Sequence, residues 1–282
     1  MIAYLDTNLF DHLYKKIGCT AADIADLRKA VYGRDLSIPL GIHVLEELLL
    51  NQRASPQELV ARIKLTLSIA SIRRMVKPCD QLIADDIRSY AAAGEADRPL
   101  VNVQIQNAIT QGIAELIESD GEEFSEEIAD ALQDTKRRKD RFVNGMNVAL
   151  QEIASLTAPA PANIGFAEYF VRSGPQAAEL MANRVGVLDA CRDRGIVGLL
   201  EIRSVRALVG SALSFIYGQT LAGEPSSADP IDFVHLPSAA ATAEVFVSND
   251  TRLREAVARI PFENLRIMNL AEFLAANSSP TE

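Results

Sequence analysis

The chain has 282 residues, 48% of them hydrophobic, so it can bury a sizeable core as one large domain or two ordinary ones. The start of the chain does not resemble a signal peptide, no apolar run approaches the roughly 18 to 20 residues of a membrane span, and three scattered cysteines predict no disulfide framework, which favours a cytoplasmic protein. The net charge of −10 argues against binding nucleic acid by bulk charge, but not against an enzyme that gathers acids around a cation.

Strands and helices alternate in the first 55 residues. The apolar segment Ile2 to Leu5 predicts a buried strand, and Asp6-Thr7-Asn8 follows it directly and can cap the next helix. The predicted elements are a strand at residues 2–5, helices at 9–16 and 20–32, a strand at 36–39 and a helix at 42–51.

The middle of the chain is predicted to be helical throughout. From about residue 55 to 217 the apolar residues recur with helical spacing, no segment reads as a convincing strand, and prolines mark the helix boundaries. The predicted helices are 56–76, 79–93, 99–119, 123–156, 175–195 and 199–218.

Strand–helix alternation returns after a polar loop at residues 221–229. Asp229 is a predicted cap for the helix that Pro230 opens. The predicted elements are helices at 230–242, 249–260 and 270–276 and strands at 244–247 and 266–268. Since alternating elements favour a parallel sheet, we predict one α/β domain from residues 1–55 and 220–282, interrupted by an all-α insertion at 56–219. Two sequential domains are the alternative, but each would hold too few strands for a sheet.

Four acidic residues lie near the carboxyl ends of the predicted strands, where ligands of parallel α/β sheets collect: Asp6, Glu47, Asp232 and Asp250. Carboxylate oxygens suit Mg²⁺ or Mn²⁺, and such an ion removes the repulsion between clustered acids. A bound ion can polarise a phosphodiester and lower the pKa of a bound water, so no nucleophilic side chain is required. Thr7 and Asn8 could orient water or phosphate, and Ser248 could hold the turn at Asp250.

Each of these residues also has a local interpretation. Asp6, Asp229 and Asp250 could be helix N-caps, while Glu46 and Glu47 could be solvated helix residues. His235, on an apolar helix face, is more often a packed core histidine than a catalyst.

Four short motifs contain these acids in a fixed order. Residues 2–10 place Asp-Thr-Asn after an apolar strand, and residues 38–49 lead from a strand to Glu46-Glu47-Leu48. Residues 232–239 open a helix with Asp-Phe-Val-His-Leu, and residues 245–253 place Ser-Asn-Asp after a strand. Together they resemble the motifs of the PIN-domain nucleases, with Ser248 where threonine is usual. By that match Glu47 is the better metal residue and Glu46 the fallback.

The resemblance implies a three-layer α/β/α fold, a Mg²⁺ or Mn²⁺ site at the four acids, and hydrolysis of RNA by an endoribonuclease. Many family members are toxins, so an antitoxin is a candidate partner. However, Glu47 and Asp232 lie 185 positions apart, much further than in compact members. The helical block between them could recognise substrate, form a homodimer or bind a partner protein. The competing hypotheses are a catalytically weak or inactive PIN-like module that binds RNA or protein, and a helical scaffold whose acids are only caps.

Basic residues cluster in the helical block and offer a place for RNA. The densest run is Lys136-Arg137-Arg138-Lys139 with Arg141. We predict that this run contacts phosphates, and a solvated helix face is the alternative.

Overall fold

A computed structural model describes residues 1–50, 55–121, 126–156, 164–220 and 234–277. The described chain is mostly helical, with five short strands drawn from both of its ends. The strands are β1 (Ala3–Leu5), β2 (Pro39–Gly41), β3 (Ser71–Val76), β4 (Val245–Val247) and β5 (Arg266–Met268).

All the strand pairs are parallel, as the alternation of strands and helices predicted. β1 pairs with β4, β4 with β5, and β2 with β3. A parallel bridge between Ile2 and Ser37, where the Ala3 N–H donates to the Ser37 carbonyl at 2.9 Å, links the β2–β3 pair to β1. The strands therefore follow one another in the order β3-β2-β1-β4-β5, which is compatible with the predicted α/β class, and the pairing of β1 with β4 joins the two ends of the chain.

Strand β3 corrects the prediction of one helix over residues 56–76. The helix ends at Ile69, and Ala70 adopts an extended backbone before the strand begins. Ile69, Ile72 and Val76 keep helical spacing, so the apolar pattern fits a helix as well as a strand. The neighbouring strand β2 decides the outcome, because it pairs with β3. Part of the segment that we predicted as an insertion therefore belongs to the sheet.

The helices agree with the predicted positions in most places. They are α1 (Thr7–Lys15), α2 (Ala21–Tyr32), α3 (Ile42–Leu49), α4 (Pro56–Ile69), α5 (Cys79–Ala93), α6 (Val103–Glu118), α7 (Glu126–Leu156), α8 (Phe166–Val185), α9 (Leu188–Arg194), α10 (Arg203–Thr220), α11 (His235–Thr242), α12 (Thr251–Ala258) and α13 (Leu270–Asn277), with a 3₁₀ turn at Ile196–Glu201. The first part of the predicted helix 230–242 lies outside the described residues.

The predicted helix start at Pro175 is wrong, because α8 continues through that proline. An interior proline costs a helix about 3 kcal/mol through a lost hydrogen bond and a clash. Helix α8 packs against α10, and burial of Phe170, Ala177 and Ala178 offsets this cost.

The sheet and the helical block share one hydrophobic core. Its buried residues come from both ends of the chain and from the helices between them. Helix α10 packs against α11 and α12, and α5 packs against α11, so the block rests directly on helices that flank the sheet. Among the described residues, no helix has the length and apolar character to cross a membrane.

Gly41, at the end of β2, lies against the ring of Tyr4. A Cβ at Gly41 would come within 2.0 Å of the Tyr4 hydroxyl oxygen, and Tyr4 is fully buried. We expect Gly41→Ala to lower the free energy of unfolding by about 1–3 kcal/mol, because a packed core cannot accept the added methyl group. Urea denaturation measures the change.

Gly165→Ala is the matched control for this variant. Gly165 also stands at a helix N-cap with extended backbone, and a Cβ there would meet nothing within 4 Å. Equal losses of stability in the two variants would contradict the packing argument.

Candidate active site

Two of the predicted acids, Asp6 and Asp250, follow β1 and β4, whose carboxyl ends lie side by side. Asp6 follows β1, its N–H donates to the Val247 carbonyl of β4 at 3.1 Å, and the segment Ser248 to Asp250 follows β4. The chain continues from β1 to β2 on one side and from β4 to β5 on the other. In parallel sheets, the strand ends at which the connections diverge in this way are the usual ligand position.

Asp6 is not used as a helix cap. It occupies the N-cap position of α1, but its side chain makes no capping hydrogen bond. Instead, Oδ2 accepts a hydrogen bond of 2.9 Å from the Ser248 hydroxyl. The carboxylate is only 7% exposed, so a negative charge is held inside the protein beside a neutral donor. The local interpretation of Asp6 as a cap therefore does not explain its position.

Ser248 connects Asp6 to Asp250, whereas the sequence suggested only that it holds the turn at Asp250. Its fully buried hydroxyl donates to Asp6 and accepts a hydrogen bond of 3.2 Å from the Asp250 N–H. The Asp250 side chain caps α12, because Oδ1 accepts from the Leu253 N–H at 2.9 Å. The capping interpretation thus accounts for one carboxylate oxygen of Asp250.

Glu47 reaches the same region from α3, the helix after β2. Its Oε1 lies 2.9 Å from Lys139 Nζ and 3.5 Å from His235 Nε2. Burial raises the pKa of Glu47, but His235 and Lys139 lower it more, so the net pKa falls well below its usual range. Glu47 is therefore ionised at neutral pH.

The neighbouring Glu46 points into the protein. It is 2% exposed, and its Oε2 lies 2.6 Å from Lys139 Nζ and 3.8 Å from His43 Nδ1. The two consecutive glutamates therefore share Lys139, but it is Glu47 that also contacts His235.

His235 is the residue whose importance the sequence analysis underestimated. It is buried, as a core histidine would be, but both ring nitrogens face polar groups: Nδ1 lies 3.4 Å from the Tyr4 hydroxyl, and Nε2 lies 3.3 Å from Thr7 Oγ1. Burial lowers the pKa of His235, but Glu47 and Asp6 raise it more, and the net shift is upward. A buried imidazole needs polar partners, and its place three residues after Asp232 was the signal that could have revealed it.

The predicted nucleic-acid-binding run on α7 divides into two faces. Lys139 is 5% exposed and pairs with Glu46 and Glu47, while Arg138 donates two hydrogen bonds to Asp80. Lys136, Arg137 and Arg141 are exposed. Contact with phosphate stays a prediction, and it applies best to these three exposed residues.

The other predicted residues have different outcomes. Asn8 is exposed in the first turn of α1. Asp232 and Asp229 lie outside the described residues.

Asp6 and Glu47 offer hard oxygen donors, which fit Mg²⁺ or Mn²⁺ as part of a ligand set. Within the described ranges, no group of three or more histidine, cysteine or acidic side chains is arranged to hold a metal ion. A complete site therefore needs a further donor, and Asp232 is the predicted one.

No protein-family model matches the chain, and comparisons with curated proteins and with solved structures found no match either. The PIN-domain resemblance therefore stays a prediction from four sequence motifs.

Ser248→Ala tests the connection between Asp6 and Asp250. The change leaves a buried carboxylate and a backbone N–H without this partner, so we expect the free energy of unfolding to fall by about 1–3 kcal/mol. Urea denaturation of Ser211→Ala is the control, since the buried Ser211 hydroxyl donates only to a carbonyl of its own helix. A loss no larger than that of the control would show that the Ser248 hydroxyl stabilises nothing.

Proposed function

We propose that this protein is a divalent-metal-dependent nuclease that hydrolyses RNA, with Asp6 and Glu47 among its metal ligands. One observation carries the proposal: the buried Asp6 side chain, which caps no helix, and Glu47 both act on the charge of His235, and Glu47 lies 3.5 Å from that ring. A structural protein has no need to assemble these charges there, because burying each carboxylate costs free energy.

The chemistry assigned to the site follows from its oxygen donors. A bound Mg²⁺ or Mn²⁺ would polarise the phosphodiester and supply a water of lowered pKa. Ser248 holds Asp6, while Lys139 and His235 hold Glu47, so the protein keeps both carboxylates oriented. Asn8, exposed beside Asp6, is suited to orienting water or phosphate.

The proposal extends to the fold and to the missing ligand. Parallel strands in the order β3-β2-β1-β4-β5, with helices packed around them, are compatible with a three-layer PIN-like domain. Asp232 lies three positions before His235 in the chain, and His235 contacts Glu47, so we propose Asp232 as the third acidic ligand.

A second candidate is a PIN-like module that binds RNA or protein without cleaving it. The observation that favours it is Lys139, whose ammonium group already pairs with Glu46 and Glu47. Calorimetry with Mn²⁺ separates the two candidates, since a nuclease should bind the ion in a manner that Asp6→Asn abolishes.

Asp6→Asn tests the nuclease directly. The amide can still accept the Ser248 hydrogen bond, so the fold should survive, but the charge that binds metal is lost. We expect Mn²⁺-dependent cleavage to fall by at least about 100-fold, roughly 2.7 kcal/mol of transition-state stabilisation. The measurement uses single-stranded RNA, structured RNA and DNA, each with Mn²⁺ and with a chelator.

Asp193→Asn is the control for this experiment, because Asp193 is an exposed acid on α9. It should cleave like the wild-type protein. Cleavage by Asp6→Asn at the wild-type rate would exclude Asp6 as a metal ligand.

The exposed face of α7 is tested by replacing Lys136, Arg137 and Arg141 with glutamate. If they contact phosphates, RNA affinity should fall and the slope of log affinity against log salt should flatten by about 0.7 per lost contact. Binding is measured in the Asp6→Asn background, so that the RNA stays intact.

The control replaces exposed basic residues on other elements with glutamate: Lys29, Arg98 and Arg172. It changes the net charge equally. If both triple variants lose the same affinity and slope, α7 is not the contact surface.

A further inference from the structure

Lys139 is the buried cation nearest the proposed metal ligands. It comes from α7, 92 positions beyond Glu47, and its side chain is 6% exposed. Its Nζ lies 2.6 Å from Glu46 Oε2 and 2.9 Å from Glu47 Oε1. An ammonium group is strongly hydrated in water, so it is buried only where carboxylates compensate the lost hydration.

Lys139 places a positive charge beside Glu46 and Glu47. Glu46 is almost inaccessible, and Lys139 supplies its close positive partner, while burial lowers the pKa of His43, which lies 3.8 Å away. Glu47 is more exposed, at 30% of its side chain, and its Oε1 carries both the Lys139 and the His235 contacts. The second acidic motif is therefore held in place by cations of the chain itself.

A divalent ion bound to Glu47 would lie at short range from the Lys139 ammonium group. Two positive centres that share one carboxylate repel each other, and the repulsion is strong because the region is poorly accessible to water. The ion can then bind Glu47 well only if Lys139 withdraws toward Glu46, or if the ion accepts a weaker site.

We infer that Lys139 is an internal counter-ion that positions Glu46 and Glu47 without metal and competes with the divalent cation for Glu47. The inference rests on the proposed metal site at Asp6 and Glu47. It also gives the helical block a role, because α7 carries a group whose position depends on whether the metal is bound.

The test removes the ion pair while keeping the net charge. Lys139→Met alone would leave the buried Glu46 without its main counter-charge and could unfold the protein, so the variant is Glu46→Gln with Lys139→Met. Mn²⁺ binding is measured by calorimetry at one pH, after thermal unfolding has verified the fold. We expect Mn²⁺ to bind at least ten-fold more tightly than to the wild-type protein.

Two further variants make the result specific. Glu168→Gln with Arg172→Met removes an exposed ion pair on α8 and should bind Mn²⁺ like the wild-type protein. Glu46→Gln with Lys139→Arg keeps a cation beside Glu47 and should retain the weaker wild-type affinity.

The outcomes separate this inference from the proposed function. If the wild-type protein binds Mn²⁺ in an Asp6-dependent manner and the Gln/Met variant binds it equally or more weakly, Lys139 is no competitor and the inference is wrong. If neither protein binds Mn²⁺, the proposed metal site fails and the inference fails with it. Tighter binding that Asp6→Asn abolishes supports both.

Discussion

The parallel pairing of β1 with β4 is the contact on which the site depends. It joins residues 3–5 to residues 245–247, so the two ends of the chain form one sheet around a long helical segment. Because parallel strands end at the same edge, this pairing brings Asp6 and Ser248 together, and the hydrogen bond between them follows. The link from β1 to β2 then brings α3, which carries Glu47, to the same region, and α11 contributes His235 from the other end of the chain.

Buried charge is the second constraint, and it shapes the region around the strand ends. Asp6 and Glu46 are almost inaccessible, and ionised groups are costly to bury without partners. Two different partners offset this cost: the Ser248 hydroxyl donates to Asp6, and the Lys139 ammonium group pairs with Glu46. These two partners suit different roles. A hydroxyl adds no positive charge beside Asp6, whereas an ammonium group offsets part of the charge on Glu46 and Glu47.

The predictions agree with the structure where a feature depends only on residues that are close together in the chain. Helix α5 and strand β5 lie where the pattern of apolar residues placed them, since their signals are contained within a few turns or residues. The apolar spacing from Ile69 to Val76 fits either type of element, and only the pairing with β2 makes it a strand. Pro175 reads as a boundary in sequence, yet packing of α8 overrides it. Likewise, His235 and Lys139 look like a core residue and a solvated base until their partners are known.

The sequence by itself determined the parallel α/β class, the positions of most helices and the candidates Asp6, Glu47 and Asp250. Apolar periodicity and the acids that follow strands are features of short segments, so they can be read without the folded structure. Tertiary structure alone decided which acids are caps and which are held for another purpose, since hydrogen bonds such as Ser248 to Asp6 join residues 242 positions apart. It also decided that Lys139 faces inward to Glu46 and Glu47 while Lys136 faces solvent. The physical reason is that the chemical role of a carboxylate depends on the charges packed around it, and only the folded chain brings those charges together.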